Sequence, residues 1–195
     1  KPNDGVTSEI SGTNSTAIFD INIGDYFFID GSNTEGGNTK DLTIRNTSNS
    51  ALRFINDATN NIIKNSILKS SFMVVLFSTT TGTTGNDNNL IQNNDITGST
   101  LTCGFGIVNT GTGTTSDRKN SGIEIIGNRI YNFTTRGIQD NGNSAGIIYR
   151  SNEFFQTSPQ STCIPLHITS NTIEGFIFDK NKIHDMMVSA FGGAY

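Results

Sequence analysis

Leu90-Ile91-Gln92-Asn93-Asn94-Asp95-Ile96 holds the pattern that decides the fold: an apolar residue, two others, an asparagine, one more residue, then an apolar residue again. The same frame returns as Ile62…Asn65-Ser66-Ile67, Ile125…Asn128-Arg129-Ile130 and Tyr149…Asn152-Glu153-Phe154. It returns again as Ile168…Asn171-Thr172-Ile173 and Phe178…Asn181-Lys182-Ile183. A short unit that recurs marks a chain built as a stack of similar levels. The anchors fall at unequal steps, from 67 to 96, 130, 154, 173 and 183. Helical repeats cannot absorb that variation, whereas short strands joined by elastic loops can. The last step is too short for a full level, so one of the final two copies belongs on another face or matches by chance. The frame makes the chain a solenoid in which Asn65, Asn94, Asn128, Asn152 and Asn181 are repeated structural positions.

Composition agrees with strands and corners. Only 15% of the 195 residues are charged, well below the roughly 25% of ordinary soluble domains. Asn, Thr and 21 Gly supply the polarity, and Pro is scarce at 3. Asn and Gly suit tight turns and left-handed backbone, while Thr and Ile suit strands. The net charge of −4, with 13 dispersed Lys and Arg, lacks the basic patch that nucleic acid requires. No apolar run is long enough to span a membrane as a helix. The longest, Phe72-Met73-Val74-Val75-Leu76-Phe77, has the length of a buried strand.

Residues 1–16 read as an irregular lead-in and 17–195 as coils of one domain. Ala17-Ile18-Phe19-Asp20-Ile21-Asn22-Ile23 alternates as a strand with one inward face. Leu42-Thr43-Ile44-Arg45-Asn46 reads as a degenerate rung, with Thr43 and Ser48 at positions that are apolar in other rungs. Asn60-Asn61 and Asn88-Asn89 each precede an apolar pair, so the corner repeats as well as the core. Two loops, 78–87 and 109–120, share Thr-Gly-Thr-Thr and are expected to emerge side by side. Met186 to Phe191 reads as a further strand and Gly192 to Tyr195 as the start of a corner, with no C-terminal cap evident. A solenoid needs polar caps, so the 195 residues are expected to be a slice of a longer chain. Cys103 and Cys163 fall two rungs apart, nearly 10 Å at the usual strand spacing of about 4.8 Å. A disulfide needs Cα atoms within roughly 7 Å, so two buried free thiols are expected.

With Ser121-Gly122-Ile123 and Ser144-Ala145-Gly146-Ile147 leading into strands, the rung resembles the right-handed parallel β-helix repeat of the pectin-lyase-like superfamily. The resemblance implies three sheets per coil, about six to seven coils, and asparagines stacked at one corner. A second likeness covers Gly24 to Asn33, Thr39 to Thr47 and Phe54 to Asn61. These segments are similar to β-helix stretches of large secreted bacterial surface proteins, which implies export and a role in adhesion or display.

Superfamily enzymes cleave acidic polysaccharides with clustered Asp, a catalytic His or Lys and Arg pairs. The Asn-Thr-Asp, Asp-Asp and Arg-x-Lys motifs of the hydrolases do not occur. The one candidate cluster is Asp179-Lys180-Asn181-Lys182-Ile183-His184-Asp185. In a strand, Lys180, Lys182 and His184 alternate onto one face and can meet a uronate carboxylate. Because Asn181 and Ile183 belong to the structural frame, that face is by default solvated. His167, between Leu166 and Ile168, reads as a surface residue of a strand. No metal or cofactor motif is present, so none is expected. The Thr pairs lie in Gly-rich loops, unlike the strand ladders of ice-binding solenoids.

Together these features lead to an all-β, right-handed parallel β-helix, extracellular or at the cell surface. The function expected is that of a non-catalytic, rigid, adhesin-like module with weak contacts to polysaccharide or cell-surface glycan. The alternatives are a polysaccharide lyase or hydrolase whose active site is degenerate or lies outside this segment, and a filament subunit that self-associates through its coil ends.

Overall fold

The computed structural model describes residues 1–78, 81–111, 118–160, 163–170 and 172–187. They form an all-β stack of parallel strands that fits a parallel β-solenoid. The chain visits the sheets in turn. β1 (Ser8–Gly12) opens sheet A, β2 (Ala17–Asn22) sheet B and β3 (Phe28–Asp30) sheet C. Next come β4 (Leu42–Asn46), β5 (Ser50–Ile55) and β6 (Ile62–Lys64), then β7 (Ser66–Ser70), β8 (Met73–Phe77) and β9 (Leu90–Gln92).

From the fourth level a small sheet D enters between B and C. The order is β10 (Asp95–Gly98), β11 (Cys103–Asn109), β12 (Asn120–Ser121) and β13 (Glu124–Ile126). It continues with β14 (Arg129–Tyr131), β15 (Phe133–Asp140), β16 (Ser144–Ala145) and β17 (Ile148–Arg150). Last are β18 (Glu153–Phe155), β19 (Ile164–Ile168), β20 (Ile173–Glu174), β21 (Ile177–Asp179) and β22 (Lys182–Ile183). β1 lies within the stretch read from sequence as irregular and pairs with β4 along its whole length.

Inward side chains align into columns. In sheet A, Ile44, Leu68, Ile96, Ile130 and Phe154 stand in register and are wholly buried. In sheet C the column is Ile29, Ile63, Ile91, Ile125 and Tyr149. Each buried Ile stabilises by about 1.5–3 kcal/mol relative to exposure, so the columns are the main cohesion between levels. Ile44 belongs to this column, so the rung read as degenerate is regular: Thr43 merely takes the outward position.

Two further expectations shift. The frame at Ile62…Asn65…Ile67 is displaced by one residue. Ile63 pairs with Ile91, and Leu68, not Ile67, with Ile96. Ile173, the anchor of the 168–173 copy, sits in sheet D and not in sheet A, so that copy does lie on another face; Asn171 is outside the described residues. So are 188–195, which hold most of the expected last strand and corner, and parts of both Thr-Gly-Thr-Thr loops. Both cysteines are free, Cys103 buried and Cys163 only partly so. β11 and β19 stand on either side of β15, which keeps the two thiols two strands apart. Burial pushes the Cys103 thiol up to about 12.

Candidate functional site

The corner between sheets C and A holds a ladder of carboxamides. Asn94 donates from its backbone N (2.9 Å) and its Nδ2 (3.1 Å) to Asn128 Oδ1. Asn128 does the same to Asn152 (3.0 and 3.1 Å), and Asn152 to Asn181 (2.9 and 3.0 Å). The spare amide hydrogens go to carbonyls of the preceding level: Asn94 to Ile63, Asn128 to Ile91, Asn152 to Ile125 and Asn181 to Tyr149. Each asparagine thus satisfies backbone groups that the bend unpairs, with no solvent needed. Asn65 does not belong to this ladder. Ser66 occupies the equivalent place and donates its N–H to Asn94 Oδ1.

Asn65 instead takes the left-handed position just before the corner, as do Asn93, Gly127, Ser151 and Lys180. Its Nδ2 donates to Asp30 Oδ1 and Gly37 O, while Asn93 Nδ2 donates to Asn65 Oδ1 and Asn38 O. Together with the Lys40–Asp95 ion pair, these bonds strap residues 37–40 across the outside of the corner.

Lys180, Lys182 and His184 do not share one strand face. Lys180 has a φ of 54° and lies in the corner before β22. Lys182 and His184 both reach the outer face of sheet A and converge on Glu153, with Lys182 Nζ 3.1 Å and His184 Nε2 2.9 Å from Glu153 Oε1. His184 Nδ1 lies 2.7 Å from Asp185 Oδ2. Lys182 and then His184 hold the Glu153 carboxyl below its usual range, while Asp185 and then Glu153 raise the His184 imidazole. Arg129 joins the same column, pairing with Asp95 (3.3 Å) and with Glu153 (3.4 Å). Its guanidinium lies 5.1 Å from the Phe155 ring centre and 5.5 Å from that of Tyr131. Phe155 stacks on Tyr131 at 4.8 Å and on His184 at 5.4 Å. Lys182 and His184 are therefore engaged within an alternating charge column.

A polar cluster lies inside the solenoid. Asn109 and Asp140 continue the inward column of Phe54 and Phe77, whose rings stack at 4.7 Å. Tyr149 donates its hydroxyl to Asp140 Oδ2 (2.9 Å), and Ser144 Oγ also donates to it. Burial raises the Asp140 carboxyl despite these donors, and burial beside Asp140 raises Tyr149 strongly. His167 is half-buried in β19 opposite Gln139, with its Nδ1 unpartnered.

The outer face of sheet C bears a shallow groove of about 420 Å³. Ile62 and Leu90 form its floor, Tyr26, Asn60 and Asn88 its rim, and Glu124 its far end. Sequence reasoning used Asn60 and Asn88 as corner signals but missed the groove. Its rim joins residues from separate levels, and only the register brings them together. Among the described residues no three His, Cys, Asp or Glu side chains are placed to hold a metal, and no helix is long and apolar enough to cross a membrane. No protein family, curated protein or solved structure matches the chain.

Proposed function

We propose that the chain is a right-handed parallel β-helix of about six to seven coils that serves, without catalysis, as a rigid adhesin-like module outside the cell. The observation that carries this reading is the common direction of the bonds between levels. Apolar columns, the Asn94–Asn181 ladder, the Tyr131–Phe155–His184 stack and the charge column through Arg129 all run along the stacking axis. Bending such a stack stretches all of them on one side at once, and resistance to bending is what a stalk supplies.

The right hand follows the strong preference of crossovers between parallel strands. Placement outside the cell rests on the likeness of residues 24–61 to secreted surface proteins. Glycan contacts would be weak singly and effective when many copies act together.

Location is tested by labelling intact source cells with an antibody to this chain, before and after protease shaving. Labelling that shaving removes is the expected result; labelling that requires lysis overturns the reading. Stiffness is tested by single-molecule pulling between positions 8 and 183. A high, steep rupture force is expected, and extension at low force argues against a load-bearing stalk.

A further inference from the structure

We propose that the groove on the outer face of sheet C binds a neutral oligosaccharide, with Tyr26 as its stacking platform and Glu124 as its hydrogen-bond acceptor. The proposal rests on the surface-module reading only for the expectation that glycans are within reach.

Tyr26 is the first reason. The residue two before each sheet C strand adopts left-handed backbone: Tyr26 (φ 59°), Asn60 (56°), Asn88 (53°), Gly122 (61°), Gly146 (62°) and Gly175 (61°). Asn and Gly accept that geometry readily, whereas a bulky aromatic side chain there is an outlier. Strained residues persist where something over-determines them, and they concentrate at binding sites. Packing does not account for Tyr26, because it is 78% exposed. It is a ring held out over the groove.

The polar groups are the second reason. Ladder asparagines spend every side-chain atom on the fold, and Asn65 and Asn93 are spent on the strap. Asn88 and Glu124, in contrast, have no side-chain hydrogen bond or ion pair among the described residues. Glu124 also interrupts an otherwise apolar outward column, standing in register after Phe28, Ile62 and Leu90 and before Ile148. At Gly122 a Cβ would meet Asn88 Oδ1 at 2.5 Å, so glycine there leaves the rim open around that carboxamide.

The geometry is the third. Tyr26, Asn60, Asn88 and Glu124 come from four successive levels, so the groove runs along the axis for three strand spacings, roughly 14 Å. A chain of a few sugars spans that length. Pyranose C–H faces stack on an exposed aromatic ring, and vicinal hydroxyls donate to a carboxylate and pair with a carboxamide. A lone carboxylate on a chain of net charge −4 disfavours uronates.

The test is calorimetric titration of the full chain with cellohexaose, chitohexaose and hexagalacturonate. Saturable binding of a neutral probe is expected, at least tenfold weaker in Tyr26→Asn and in Glu124→Gln, with none to hexagalacturonate. Tyr26→Asn installs the residue that the next two levels carry, so its unfolding midpoint is expected to hold or rise. A loss of affinity in that variant is then not a loss of fold. Absence of binding to both neutral probes overturns the proposal and leaves the stalk reading to the labelling experiment. Binding that survives Tyr26→Asn overturns this groove as the site. Binding weakened by Tyr26→Asn but not by Glu124→Gln overturns Glu124 as the hydrogen-bond acceptor of the site.

Discussion

At Asn128 a single side chain closes one bend and links it to the bends on either side. Its Oδ1 accepts two hydrogen bonds from Asn94, and its Nδ2 donates to Ile91 O and Asn152 Oδ1. Asn128→Ala leaves the buried Asn94 N–H without its acceptor and removes a donor from the Ile91 carbonyl and from Asn152 Oδ1. Since a buried unsatisfied group costs about 1–3 kcal/mol, a loss of roughly 2–4 kcal/mol is expected in urea unfolding. Asn65→Gly keeps the left-handed backbone and removes the side-chain bonds to Asp30, Gly37 and Asn93. Asp30 keeps the Ser32 N–H and Asn93 keeps Asn38 O, so a smaller loss of about 1–2 kcal/mol is expected.

Asp140 behaves differently because its carboxyl is raised by burial. In the window between the unfolded value near 3.8 and the raised folded value, the native state binds the extra proton. Its stabilising contribution is therefore complete below the unfolded value and is lost as pH rises through the folded one. Asp140→Asn keeps an acceptor for Tyr149 and removes the titration. The difference in stability between variant and parent is expected to shift toward the variant as pH rises from 4 to 7. A difference that does not change with pH would mean that Asp140 is not titrating in this range.

At the scale of the strand, register decides which residues matter. Leu68 stands in the inward column of sheet A and is wholly buried, while its neighbour Ile67 points outward opposite Asp95. Leu68→Ala is expected to cost about 2–5 kcal/mol and Ile67→Ala less than about 1 kcal/mol, read from urea midpoints of the two variants. Equal costs would place the register wrongly.

The same pair shows how far the sequence was legible. The frame was readable wherever an asparagine took the ladder place, at Asn94, Asn128, Asn152 and Asn181. In the third level a serine takes that place and the adjacent Asn65 mimics the motif. A one-residue slip exchanges the two faces of a strand, so the slip made Ile67 look like core. Lys180 was misplaced for a related reason: alternation holds only within a strand, and the chain turns a corner between 180 and 182. The groove was out of reach, because Tyr26 and Glu124 are about a hundred positions apart and no local pattern joins them.

Over the whole molecule, stability is the sum of contacts between neighbouring levels, as in other stacked repeats. Interior levels are bonded on both sides. In the inward column of sheet A, Ile130 is fully buried, whereas Ile10 is 42% and Ile183 49% exposed at the two sides of the sheet. Local opening is easiest where buried apolar contact is least. Amide exchange is therefore expected to be slowest in β7, β10 and β14, and at the Asn94 and Asn128 N–H groups that donate along the ladder. It is expected to quicken toward β1 and β22. Uniform protection from β1 to β22 would instead mean that the levels open only together, with coupling between them strong enough to outweigh any difference in their own packing. The Asn128→Ala variant separates the two cases. In a stack of coupled levels it speeds exchange most in β10, β14 and their neighbours, and in an all-or-none unit it speeds every slow amide alike.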